Sequence, residues 1–150
     1  MVDKMAGSSL WLLPPPGSPI HDILKTLIST ALPSQFPAES TSATLGPGFF
    51  APHLTLTSEI KPEIYGSDPK AWLDSISWPL VDEVRVRFEK ILSQDVFFRR
   101  CYIKVAMGGV KPIVALARAR AVCGEEAPGE RTNEWLKWWE EAFGPHVSLM

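Results

Sequence analysis

The chain has 150 residues, 45% of them hydrophobic, enough for one compact domain with a core and too few for two comfortable ones. Lys and Arg number 15 against 17 Asp and Glu, a net charge of −2. That balance excludes the broad positive field that holds a nucleic-acid duplex or an anionic membrane, so an anionic substrate would have to be captured by a local site.

Lys4 precedes the apolar run Leu10-Trp11-Leu12-Leu13, but the run is too short for an export signal and Pro14-Pro15-Pro16 ends it. The spacing predicts a short strand over Ser9 to Leu13. From Pro19 to Leu32 the apolar Ile20, Ile23, Leu24, Leu27, Ile28 and Leu32 recur at helical intervals. His21 falls on this helix and reads as a surface residue. Pro33 to Pro52 turns to Pro, Ser, Thr, Ala and Gly, the composition of a surface loop. Pro52-His53-Leu54-Thr55-Leu56-Thr57-Ser58 then alternates polar and apolar as a half-buried strand does.

Asp68 is a candidate cap for a short helix running to Ile76. Val84 to Phe88 and Phe97 to Met107 read as two strands, with Ser93-Gln94-Asp95 between them, and an antiparallel hairpin is the economical pairing. Gly108-Gly109 breaks the second strand and a helix follows to Cys123. Without GxxxxGK[ST] or GxGxxG, the two glycines make a strand-to-helix turn rather than a phosphate loop. Thr132 is expected to cap a helix whose Trp135, Trp138, Trp139, Ala142 and Phe143 form an apolar stripe. Gly144-Pro145 stops it, and His146 to Met150 begins another strand. Mixed strands and helices with hairpin-like neighbours place the chain in the α+β class. Lys111, Pro112, Arg118 and Arg120 interrupt the one other long apolar stretch, so no membrane span is expected.

Two residues two apart on a strand share a face. His53 and Thr55 therefore look one way while Leu54 and Leu56 look the other. In Pro145-His146-Val147-Ser148-Leu149 the same holds for His146 and Ser148 against Val147 and Leu149. With 20 Ser and Thr among 150 residues, a hydroxyl two after a histidine is a modest coincidence by itself. The Pro before each His, the aliphatic after it and the Leu after each hydroxyl make coincidence a poorer account, and the two segments resemble a duplicated half-site. A strand-end His satisfied by a backbone carbonyl is the commoner explanation of either motif alone; for both together the functional reading prevails. An imidazole can be neutral or protonated near neutral pH, so two of them can serve as one base and one acid.

Leu10-Trp11-Leu12-Leu13-Pro14, Gly17-Ser18-Pro19, Pro52 to Ser58 and Phe143 to Leu149 together resemble the fungal 2′,3′-cyclic-nucleotide 3′-phosphodiesterases of the two-histidine phosphoesterase superfamily. The resemblance runs from about Leu10 to Met150. It implies a bilobal, duplicated α+β fold of antiparallel sheets flanked by helices, with one motif in each lobe, and no metal or other cofactor. It implies His53 and His146 as the catalytic pair, His146 favoured as base and His53 as acid, with Thr55 and Ser148 holding the non-bridging phosphate oxygens. The implied substrates are nucleoside 2′,3′-cyclic phosphates opened to 2′-phosphates, and ADP-ribose 1″,2″-cyclic phosphate, a by-product of tRNA splicing. Relatives continue past the second motif, with a Tyr and further helix and strand elements. Residues 1–150 are thus expected to form a single domain with an incomplete second lobe, weak or inactive as an enzyme, in which His146 to Met150 is an exposed edge or frayed end.

The expected partner is a small-molecule cyclic phosphate, with no duplex nucleic acid, no membrane and no obligate protein partner. Cys101 and Cys123 lie far apart without a CxxC spacing, which argues against a zinc site or disulfide framework and suits a reducing compartment. An intracellular, cytoplasmic location is expected, and the fungal resemblance leaves a Golgi association open. Arg85, Arg87, Arg99, Arg100 and Lys104 on the hairpin are suited to steering an anion, although a solvated sheet face is the commoner explanation. Two other classes compete: an RNA-end phosphodiesterase or ligase-like superfamily member, which the net charge weakens, and a non-catalytic binding module.

Overall fold

The computed structural model describes residues 7–36, 50–94 and 101–150. Strand β1 (Ser8–Leu12) leads to helix α1 (Pro19–Thr26), which passes through a π-helical turn (Leu27–Ala31) into α2 (Leu32–Gln35). Ser18 starts α1 by accepting from the His21 N–H at 3.3 Å, with Pro19 in the first turn where a missing N–H costs nothing. Strand β2 (Leu54–Ile60), the short helices α3 (Pro62–Tyr65) and α4 (Pro69–Asp74), and a 3₁₀ turn (Val81–Glu83) follow. Next come β3 (Phe88–Leu92), β4 (Tyr102–Val105), α5 (Met107–Arg118) extended by a π turn to Cys123, α6 (Glu130–Ala142) and β5 (His146–Ser148). The class is α+β. The strands run in the order β1-β2-β5-β4-β3, and the pairs β2–β5, β5–β4 and β4–β3 are antiparallel.

The chain divides into two compact units, each drawn from separate stretches of sequence: residues 1–11, 55–87 and 106–145 in one, residues 12–54, 88–105 and 146–150 in the other. The first buries Leu56, Ile60, Val110, Val114, Ala117 and Leu136. Thr132 is buried there as well, which corrects its expected role as a helix cap. The cap of α6 is Gly129, and Thr132 lies inside the first turn, its N–H (3.0 Å) and hydroxyl (2.5 Å) both donating to the Glu125 carboxylate. The buried side of α6 follows Thr132 and Leu136, flanked by half-buried Trp135 and Trp139 stacked at 5.2 Å, while Trp138, Ala142 and Phe143 face outward.

The second unit buries Leu24 and Ile28 of the first helical segment together with Leu54, Tyr102, Ile103, Val105, Val147 and Leu149. His21 is only 22% exposed rather than a surface residue, because it sits one turn before Leu24 on the inward side of α1. Strand β3 begins at Phe88, later than the sequence suggests. Residues 84–87 send their backbone bonds to a chain that has already left the strand: Arg85 N–H donates to Gly109 O at 2.9 Å, and Arg87 O accepts from Ala106 N–H at 2.8 Å. Gly108 and Gly109 fall inside α5, and Gly109 is needed there because a Cβ would collide with the Arg85 carbonyl. Of the predicted second strand, Phe97 to Arg100 lie outside the described residues, as do residues 37–49 of the loop after the first helix.

The expectation of an exposed or frayed last strand is corrected. In strand order β5 is interior, between β2 and β4. Val147 is 4% and Leu149 2% exposed, and the Leu149 N–H donates to Cys101 O at 2.8 Å. A strand of three residues is held because both its edges are paired and its apolar face is covered.

Candidate functional site

His53 stands one residue before β2, and its position is fixed by the chain just ahead of it. Pro52 is buried and biases Ala51 toward an extended backbone. The Ala51 carbonyl then accepts from the His53 ring at Nδ1, 2.7 Å away. A carbonyl only accepts, so Nδ1 carries the proton, and in the neutral ring Nε2 carries the lone pair. The Phe50 ring meets His53 edge-on at 6.2 Å between centroids.

His146 is delivered by a helix stop. α6 ends at Ala142, Gly144 takes a left-handed conformation (φ 64°) with its N–H on Trp139 O at 2.7 Å, and Pro145 turns the chain into β5. The buried Tyr102 ring packs edge-on to His146 with centroids 5.5 Å apart.

The ladder relates the two motif strands. Leu54 pairs with Val147, and Val147 pairs with Ile103 on its other side. These three buried side chains form one row on the core face. The flanking residues point the other way: His53 is half-buried before Leu54, and His146 and Ser148 are half-buried on either side of Val147. Continuing the register by one residue sets His53 against Ser148. His146 is then its diagonal neighbour, at about 7–8 Å between Cα atoms in a regular antiparallel pair. Thr55, half-buried, follows Leu54 on β2 and shares the pleat direction of His53.

Two neighbours of this row could not be placed beside it from the sequence, although Lys104 was among the cations suited to steering an anion. Tyr102 pairs with Ser148 and Lys104 with His146 across the β4–β5 ladder. The alternation of β4 was visible, but its register against a strand some forty residues later was not. Of the other hairpin cations, Arg85 and Arg87 instead line a cleft of about 330 Å³ whose lining also includes Asp82, Glu83, Gly108 and Gly109. Arg99 and Arg100 lie outside the described residues.

Farther along β2, Thr57 is 3% exposed, against the polar-out alternation. The cause is Arg118, whose Nη1 donates to the Thr57 hydroxyl at 3.2 Å, lies 3.7 Å from the Glu59 carboxylate, and whose guanidinium stacks 4.4 Å from the Trp135 ring centre. Glu59 reaches this position from a left-handed backbone (φ 65°), uncommon for a non-glycine residue.

Among the described residues no group of three or more His, Cys, Asp or Glu side chains comes together as a metal site would require, and no helix is long and apolar enough to cross a membrane. Cys101 and Cys123 are free thiols.

Comparison with known proteins agrees with the family resemblance. The family model described as "Cyclic phosphodiesterase-like protein" matches residues 5–150. A 2′,3′-cyclic-nucleotide 3′-phosphodiesterase of Neurospora crassa is 59% identical over 150 residues, covering 97% of this chain and 71% of that protein. One of Phaeosphaeria nodorum with the same name is 42% identical over 148 residues, covering 97% of this chain and 69% of its own. No solved structure matches.

Proposed function

Because the chain belongs to the cyclic phosphodiesterase-like family, we propose that it hydrolyses 2′,3′-cyclic nucleotides to nucleoside 2′-phosphates by acid–base catalysis between His53 and His146. The observation that carries this reading is the pairing of Leu54 with Val147, which sets His53, His146 and Ser148 on the face opposite the core row. The names of the two fungal relatives supply the substrate class.

In this proposal the cyclic phosphate lies over the polar face. His146 is the base: it takes a proton from a water that attacks phosphorus in line with the bond to the ribose 3′ oxygen. His53 is the acid. With Nδ1 committed to the Ala51 carbonyl, the ring delivers its proton from Nε2 to the departing 3′ oxygen as the P–O bond breaks. The proton taken by one ring and the proton given by the other balance, and the 2′ ester remains. Ser148 and Thr55 donate hydroxyl hydrogen bonds to the non-bridging oxygens, where charge grows as the fifth bond forms. The bilobal, duplicated arrangement, the single-domain organisation of residues 1–150, an intracellular setting and activity on ADP-ribose 1″,2″-cyclic phosphate belong to the same proposal.

The test is turnover of 2′,3′-cyclic AMP by the chain, with the product resolved by phosphorus NMR. A 2′-phosphate is expected. A 3′-phosphate would reverse the geometry of attack, and no turnover with either class of cyclic phosphate would overturn the proposal.

A further inference from the structure

We propose that Lys104 is a substrate-binding residue of this site, reaching from β4 to the phosphate on which His146 acts. The inference rests on reading the site as a cyclic phosphodiesterase and adds a residue that neither motif contains.

Placement is the first argument. The β4–β5 ladder sets Lys104 directly against His146, one step from Ile103 against Val147. Residues so paired have Cα atoms about 4.5–5.5 Å apart and side chains on one face. With Val147 and Ile103 buried beneath, Lys104 and His146 both project from the polar side.

Charge is the second. Lys90 on β3 pairs with Lys104 from the other side, so the row reads His146, Lys104, Lys90. Like charges directly opposed across strands are unfavourable unless an anion lies near. The register slips between Phe88 and Lys90, and Glu89 sits within the slip, its carboxylate 3.6 Å from Lys104 Nζ. Lys104 and Glu89 are 48% and 42% exposed. An ion pair that long and that wet is weak and readily exchanged for a stronger anion.

The chemistry supplies the third. A cyclic phosphodiester carries one negative charge, and water attack raises the charge on its non-bridging oxygens. The base histidine begins neutral, the acid histidine gives its proton away, and the hydroxyls of Thr55 and Ser148 are neutral throughout. Lys104 contributes a positive charge that persists through the step. Its flexible four-carbon stem lets the ammonium leave Glu89 and follow the phosphate.

The experiment measures inorganic phosphate binding to the full chain by calorimetry, beside turnover of 2′,3′-cyclic AMP, for the native chain and for Lys104→Met, Lys104→Arg and Glu89→Gln. Lys104→Met is expected to weaken phosphate binding and to lower kcat/KM, each tenfold or more, with a shallower dependence on salt. Lys104→Arg should restore most of both, and Glu89→Gln should tighten phosphate binding by releasing the ammonium. Phosphate bound equally by the native chain and Lys104→Met, or not bound by the native chain at millimolar concentration, would overturn the assignment. The two readings fail separately. A native chain without turnover whose phosphate binding depends on Lys104 sinks the phosphodiesterase reading alone. Native turnover that Lys104→Met matches sinks Lys104 alone. Should Lys104→Met fail to fold, phosphate affinity left unchanged by Glu89→Gln overturns the assignment.

Discussion

Leu54 on β2 stands directly opposite Val147 on β5, both almost wholly buried, and this apolar pair sets the register of the two histidine motifs. A slip of one residue would turn His53 toward the core, because the side-chain period of a strand is two. The pair is therefore expected to matter for catalysis as well as stability. Leu54→Ala should cost about 2–5 kcal/mol by removing buried methyl groups. Its combination with Val147→Ala should deviate from additivity by about 0.5–3 kcal/mol, as contacting residues do. Urea unfolding of the two single variants and the double variant measures both quantities. Strict additivity would mean that the two side chains do not act as a unit.

Removing either imidazole should abolish most turnover without unfolding the chain, because both rings are half-buried outside the core row. His53→Ala and His146→Ala are each expected to lose about a hundredfold or more in kcat. The pH profile of kcat/KM should be bell-shaped, rising as the base loses its proton and falling as the acid loses its own. The proposal draws base, acid and phosphate donors from side chains, so EDTA is expected to change little. Inhibition by EDTA that zinc or manganese reverses would refute the acid–base assignment.

Arg118 is expected to fix β2 beyond the motif. Arg118→Ala removes the donor to Thr57 and uncovers the Trp135 ring face, leaving a buried hydroxyl unsatisfied. A loss of about 1–3 kcal/mol follows for such an orphaned group. Thr57→Val in the Arg118→Ala background should recover part of it by removing the stranded hydroxyl. Thermal unfolding of the two variants decides the point, and no recovery in the double variant would place the cost elsewhere.

What was legible in the sequence was local. The alternation around His53 and around His146 has period two and survives in the burial pattern, and the capping of α4 by Asp68 follows from one side chain accepting from Ala71 N–H at 3.0 Å. Features that depend on pairing between distant residues were not legible. The interior position of β5 rests on bonds to β2 and β4, and nothing in His146 to Met150 names those partners. Lys104 looked like any cation on a solvated hairpin until the ladder set it beside His146. Residues 84–87 have the alternation of a strand, yet their backbone partners belong to the turn into α5, so local propensity lost to tertiary context. Thr132 has the chemistry of a cap but lies inside the first turn, where Glu125 from the preceding loop takes the capping role.

That replacement gives the last prediction. The first N–H groups of a helix have no partner within it, and a carboxylate placed there meets both the hydrogen-bond need and the positive end of the helix dipole. Glu125 does this for α6, accepting from the N–H and the hydroxyl of Thr132. The Thr132 hydroxyl is the largest influence holding the Glu125 pKa below the ordinary carboxylate value; desolvation opposes it, and backbone N–H groups of Thr132, Gly129 and Arg131 add to it. A group whose pKa is lower in the folded chain than in the unfolded one stabilises the fold above its unfolded pKa and loses that contribution as pH falls through the folded value. Glu125→Gln should therefore lower the melting temperature at pH 7, where the carboxylate is ionised in both states. The gap from the native chain should close as pH falls below the ordinary glutamate range, about 4.3. Thr132→Val removes the hydroxyl and leaves the backbone donor, so it should shift the acid limb of the native curve toward higher pH. Melting curves of the three chains between pH 7 and pH 3 provide the measurement. A Glu125→Gln deficit that stays constant across that range would show that the carboxylate's charge contributes nothing to the start of α6.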